Sequence, residues 1–213
     1  MTRVTYDPGI FAAPDLEAAK RIIVTGSAGQ GTEDRWRRET PYLAELLGEW
    51  LAIQPGMLVV DYGCGVGRLS KALIERFGCV VLGVDSSAEM RALAPAYVDH
   101  ANFSVVSRRT FQGLIGGGLR AQAAFSVWVL QHCLRPAEDI GLIAQALPPG
   151  APIAIVNTLR RVVPAVEARW ADDGLDLRAL LAERFALVRT GQLDAEVVGA
   201  ATAAGSFWSA YTR

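Results

Sequence analysis

The run Val59-Val60-Asp61-Tyr62-Gly63-Cys64-Gly65-Val66-Gly67 constrains the chain more than any other segment. A short, continuous apolar stretch breaks into three glycines in five residues, and an amphipathic segment follows. The apolar stretch reads as a strand buried on both faces, which is the condition of a parallel sheet covered by helices. The glycines supply a tight turn and leave backbone open to a ligand, because no Cβ stands in the way. The first amides of the next helix can then face an anionic group. Mononucleotide, dinucleotide and other adenosine-binding folds all use such a loop, so alone it selects a fold class and no ligand.

Around this loop the sequence alternates. A helix is expected from Thr32 to Ile53, with Trp36, Leu43, Leu46, Leu47 and Trp50 on one face, ended by Pro55-Gly56. Strands are expected at Met57–Asp61, Cys79–Asp85, Phe103–Val106, Ala123–Val127 and Ile153–Asn157. Helices at Gly67–Phe77, Ala88–Leu93 (limited by Pro95) and Ala137–Leu147 lie between them. Parallel strands with right-handed crossovers follow. The tail breaks the rhythm. A helix at Leu175–Glu183 precedes strands at Phe185–Val188 and Ser206–Tyr211, which form an antiparallel closing pair, and Asp194–Ala204 has room for a short helix. The expected fold is α/β, Rossmann-like and doubly wound, with a mostly parallel seven-stranded sheet and an antiparallel closing strand pair.

With 213 residues the chain fits one domain spanning 1–213: an irregular amino-terminal arm or lid over 1–31 and a core over 32–213. Apolar residues make up 51% and charged residues 20%, with a formal net charge of −1, so nothing draws the chain generally to nucleic acid. Cys64, Cys79 and Cys133 are widely spaced and form neither a CxxC pair nor a histidine cluster, which indicates no metal site and no disulfide framework. The amino terminus lacks a signal peptide's apolar core and no apolar run reaches a membrane span. A cytoplasmic protein with no membrane partner is expected.

Asp85 ends the second strand, eighteen residues after Gly67, where a carboxylate accepts hydrogen bonds from an unphosphorylated ribose. Taken together, Val59–Ser70, Leu82–Met90, Val129–His132 and Leu147–Gly150 resemble successive motifs of the class I S-adenosylmethionine (SAM)-dependent methyltransferases. Arg35–Pro41 is similar to that family's approach to the helix before its sheet. The resemblance runs through residues 32–160 in order.

The resemblance implies SAM as cofactor. Asp61 would orient the loop, and Gly63, Cys64 and Gly65 would line the methionine portion. Asp85 would hold the ribose, with Ser86 and Met90 near the adenine. Ser107 stands where relatives often place an acidic residue against the adenine amine, and Gln122 where they often have aspartate. Arg108 and Ser126, beside the ends of strands three and four, join the cofactor set.

His132, on the ligand side after strand four, is the candidate acid/base group; the alternative is that it buttresses the segment after it. Trp36 and Trp128 are candidate walls of the acceptor pocket, with core packing as the alternative. Asp172, Asp173 and Asp176 read as helix-start acids in preference to a metal site. Ile22–Gly31 imitates the glycine turn of a short-chain dehydrogenase, but no Tyr-x-x-x-Lys pair follows. The expected activity is methyl transfer to a small-molecule acceptor. A protein acceptor stays open, as does a non-catalytic SAM- or S-adenosylhomocysteine-binding subunit.

Overall fold

The computed structural model describes residues 5–24, 31–166 and 168–213. The glycine turn of the dehydrogenase-like segment lies outside them at 25–30. The sheet core comprises β1 (Leu58–Tyr62), β2 (Val80–Val84), β3 (Phe103–Val106), β4 (Ala123–Val127) and β5 (Pro152–Thr158), all parallel. β8 (Ala186–Gly191) and β9 (Ser206–Thr212) close it antiparallel, in the order β3-β2-β1-β4-β5-β9-β8. The winding reverses between β1 and β4, so their carboxyl ends flank a crevice.

Two helical layers cover the sheet. α2 (Thr32–Leu51), α3 (Arg68–Phe77) and α8 (Ala195–Val198) bury Leu43, Leu47, Leu73 and Phe125 on one face. On the other, α5 (Arg108–Gly116), α6 (Pro136–Ala146) and α7 (Leu177–Ala182) bury Phe111, Leu130, Ile140 and Ile143. Full burial of each such side chain contributes about 1.5–3 kcal/mol. The period of two sends Val59 toward the α2–α3 layer and Val60 and Tyr62 toward the α5–α6 layer. Among the described residues no helix is long and apolar enough to cross a membrane.

The structure corrects several local expectations. The arm over 1–31 is not irregular throughout: a 3-10 turn at Pro8–Phe11 leads to helix α1 (Leu16–Ile23), whose Asp15 cap accepts the Ala18 amide at 2.7 Å. Ala19 and Val24 pack against Trp36, Val66 and Met90, so tertiary burial outweighs the punctuation by Pro8-Gly9 and Pro14. α4 (Ala88–Val98) runs through Pro95 because buried Ala94 and Val98 anchor its second half. α5 forms where no helix was expected, started by Ser107 capping Thr110. A hairpin of β6 (Val163–Pro164) and β7 (Trp170–Ala171) occupies the segment after β5. The stretch before β9 holds α8 and a second short helix, α9 (Ala200–Ala204).

Candidate active site

The glycine loop leaves β1 with Gly63 at φ +85°, Gly65 at +55° and Gly67 at +82°, a region that side chains rarely adopt. A Cβ on Gly63 would stand 2.2 Å from a methyl of Val129. The amides of Gly63 and Cys64 donate to the Val84 carbonyl at 2.6 and 3.1 Å, which lays the loop across the end of β2. Asp85 completes the connection: Oδ2 accepts the Gly65 amide at 2.8 Å and Oδ1 the Ser87 amide at 2.9 Å. Burial raises its pKa above the ordinary carboxylate value, against the pull of those amides. Cys64 turns its sulfur onto Gly83, where a Cβ would come within 2.7 Å, and burial pushes its thiol well up. A thiol so held is no nucleophile.

Behind the loop lies a group of buried charges. Asp61 accepts the Ser70 hydroxyl at 2.7 Å, and burial raises its pKa to about 7. Arg68, 3% exposed, stacks on the Trp36 ring at 5.2 Å, and burial lowers its pKa to about 10. Its Nη1 has no hydrogen-bond partner among the described residues. Arg35 Nε donates to Glu39 at 2.6 Å beside it. On the other side of β1, the Tyr62 hydroxyl donates to Asp139 Oδ1 at 2.5 Å, and Arg108 Nε donates to the same oxygen at 2.7 Å.

These groups and a second set, built around His132, line one cavity of about 990 Å³. His132 Nδ1 lies 2.7 Å from the Val162 carbonyl. A carbonyl only accepts, so Nδ1 carries the proton and Nε2 presents its lone pair. Burial pushes the imidazole below its ordinary 6.5, and the nearby Arg161 guanidinium adds to the fall while the Val162 bond opposes it. The ring of Phe11 lies 5.4 Å from that of His132, and Trp170 lies 5.1 Å from it. Tyr6 also faces the cavity; its backbone forms an isolated bridge to Ala165, with Asp7 N donating to Pro164 O at 3.1 Å. Arg161, 2% exposed, fastens the adjoining loops: it donates to the carbonyls of Leu130 at 2.6 Å and Cys133 at 2.5 Å and pairs with Asp173 at 3.1 Å.

Of the residues singled out in the sequence, Asp61, Gly63, Cys64, Gly65, Asp85 and Ser86 line this cavity. Met90, Arg108, Trp128 and His132 line it as well, Trp128 in the left-handed region at φ +62°. Three do not. Ser126 is fully buried, its hydroxyl donating to the Tyr62 carbonyl at 2.9 Å. Ser107 spends its hydroxyl capping α5. Trp36 packs behind Arg68 against α1, its Nε1 donating to Tyr97 at 3.2 Å, so it supports the wall without facing the cavity. Gln122, at the far end of β4, accepts the Leu58 amide at 2.7 Å. Asp173 serves Arg161, and Asp176 caps α7.

Sequence reasoning missed Arg68, Tyr62, Phe11 and Trp170. The Gly67-Arg68 juncture gave a signal for the first, since a charged residue at that helix start faces whatever the loop holds. The others carried none.

A methyltransferase-domain family model matches residues 32–193. The chain belongs to the methyltransferase family. No curated protein sequence matches it. Among solved structures, an S-adenosylmethionine-dependent methyltransferase from Mesorhizobium loti is similar at a TM-score of 0.59 and 20% identity, over 79% of this chain and 96% of that one. The cyclopropane synthase MmaA2 from Mycobacterium tuberculosis is similar at 0.61 and 14% identity, over 80% and 82%. A geranyl diphosphate methyltransferase, solved with GPP and sinefungin, is similar at 0.59 and 16% identity, over 81% and 78%. Likeness at these identities extends to the fold, and the Rossmann-like sheet of this methyltransferase is the shared part.

Proposed function

We propose that this methyltransferase uses SAM to methylate a small-molecule acceptor held beside His132. The observation that carries the reading is one cavity running from the glycine loop and Asp85 to the His132 imidazole. Its residues suit the cofactor. The glycine loop brings bare backbone to the cavity wall, and Asp85 offers carboxylate oxygens to ribose hydroxyls. The orphaned Arg68 Nη1 offers a buried donor to a carboxylate, which a methionine-derived ligand would bring. Met90 and Ser86 would border the adenine, with the Tyr62–Asp139–Arg108 group beneath it.

Bound SAM supplies a methyl group already activated on a sulfonium. The chain's task is to align the acceptor and exclude water. His132 Nε2 is the base that takes the acceptor's proton, and Trp128 walls the space between. The half-open cavity, at the upper end of the usual range of about 300–1,000 Å³, has room for a cofactor and a modest acceptor together. That the geranyl diphosphate methyltransferase and the cyclopropane synthase share the fold supports a small-molecule acceptor. The net charge of −1 gives no reason for a nucleic-acid partner. The reading assigns the protein to the cytoplasm, where its three unpaired cysteines stay reduced.

Calorimetry with S-adenosylhomocysteine tests the cofactor assignment. Micromolar binding is expected, and no detectable heat or competition at millimolar ligand would sink it. Binding without methyl transfer to any acceptor in a broad panel would favour the non-catalytic subunit instead.

A further inference from the structure

The surroundings of His132 bear on what the acceptor is. Phe11, His132 and Trp170 come from three separate elements and meet at the cavity wall, with ring centroids 5.1–6.4 Å apart and tilts of 39–59°. None of the three belongs to the buried core, and Trp170 is 39% exposed. Leu134, Leu159 and Val166, also exposed, sit on the same loops after β4 and β5. Of these, Leu134 lines the cavity with Phe11 and Trp170, and exposed apolar groups at a cavity wall mark a surface for an apolar guest.

Several of the charges near His132 are already engaged. Arg161 is the cation whose charge reaches His132, but its donors are spent on Leu130, Cys133 and Asp173. It has nothing to offer an acceptor carboxylate. Glu138 and Asp139 are paired with Arg108 and Arg135. His132 Nε2 presents a lone pair beside the rings, approached at 3.3 Å by the Gln131 amide, and the Tyr6 hydroxyl and Arg169 line the same cavity. Gln131 Oε1 already accepts the Thr158 amide at 3.0 Å, which fixes the NH2 toward the imidazole.

We infer that the acceptor is a planar aromatic hydroxyl compound, a phenol, seated against Phe11 and Trp170 with its hydroxyl on His132 Nε2. The inference rests on the methyl-transfer reading above. A flat ring completes a tilted aromatic cluster at centroid distances of about 4.5–7 Å. A phenolic proton, with a pKa of about 10, is several orders of magnitude more acidic than that of an aliphatic hydroxyl, so an imidazole base removes it more readily as the new bond forms. In the step, Nε2 takes the phenolic proton and the oxygen's electron pair forms the O–C bond. The C–S bond breaks with its pair left on sulfur. The products are an aryl methyl ether and S-adenosylhomocysteine, and the imidazolium then gives its proton to water.

Protein saturated with S-adenosylhomocysteine is titrated with 4-ethylphenol and 2-naphthol and with their ring-saturated counterparts, 4-ethylcyclohexanol and decahydro-2-naphthol. At least one phenol should bind about tenfold or more tightly than its counterpart. Phe11→Ala and Trp170→Ala should each weaken that binding about tenfold, while Trp170→Phe, which keeps a ring, retains most of it. His132→Ala should bind the phenol and the homocysteine ligand yet lose aryl ether formation in the presence of SAM. Equal binding of phenols and saturated alcohols overturns the inference, as does binding of none of the four by protein that holds S-adenosylhomocysteine. Failure to bind S-adenosylhomocysteine overturns the methyl-donor reading itself, and the phenol with it.

Discussion

Asp85 Oδ2 accepts the Gly65 amide at 2.8 Å, so the carboxylate at the end of β2 holds the loop at the end of β1. The same group is the ribose acceptor of the proposed site, and its two roles share one side chain. Asp85→Ala should weaken S-adenosylhomocysteine binding roughly 10–100-fold, the range for losing hydrogen bonds to a charged group of about 1.5–3 kcal/mol. Titration calorimetry reads the change, and unaltered affinity would remove Asp85 from the site.

Gly63 is under two constraints at once. At φ +85° a side chain is strained, and its Cβ would meet Val129 at 2.2 Å. Gly63→Ala should therefore lower stability by about 1–3 kcal/mol and weaken ligand binding. Adding Val129→Ala should return part of the stability, since it relieves the clash and not the dihedral strain. Denaturant melts of the single and double variants separate the two terms.

His132 is held below its ordinary 6.5 by burial first, with the Arg161 guanidinium adding to it. The neutral form is the base, so kcat/KM should climb with pH along an acid limb below 6.5 and level off above it. The linkage has the same direction. The fold prefers neutral imidazole, so this contribution to stability is complete above 6.5 and is lost as pH falls through the folded value. His132→Gln should cost about 10²–10⁴ in kcat and flatten the acid limb. A pH–rate profile with that limb intact in the variant would assign it to another group.

Arg161 ties the His132 turn to the loop before the hairpin. Burial alone would raise the Asp173 pKa, but the hydrogen bonds from Arg161 hold it below 3.8. Arg161→Ala leaves the carbonyls of Leu130 and Cys133 and the Asp173 carboxylate without their donor, and should cost about 3–5 kcal/mol. Arg161→Lys should recover only part, because one ammonium does not span three acceptors placed for a planar fork. Asp173 is ionised down through 3.8 in the fold, so the pair's contribution is present above 3.8 and is lost as pH falls through its lower folded value. Urea melts of the parent and both variants from pH 7 to pH 3 should show the gap closing at the acid end.

Much of the architecture is written in short-range pattern. The strand–glycine–helix run of Val59–Phe77 and the acid at Asp85 depend on neighbours within a few residues, and the parallel direction of the first five strands follows from strand–helix alternation. The arm, the fate of Trp36 and the wall around His132 are different in kind. α1 forms because Ala19 and Val24 find Trp36 and Met90, residues far along the chain. Phe11, His132 and Trp170 meet only once β4, β5 and the arm are in place, and Arg68 Nη1, with no partner among the described residues, is enclosed by the loop and Trp36 only in the folded chain. Local composition sets which backbone conformations are cheap, and that is enough for strands, turns and the glycine loop. Which side chains share a cavity depends on contacts between distant segments, whose energies exist only after the whole core has packed.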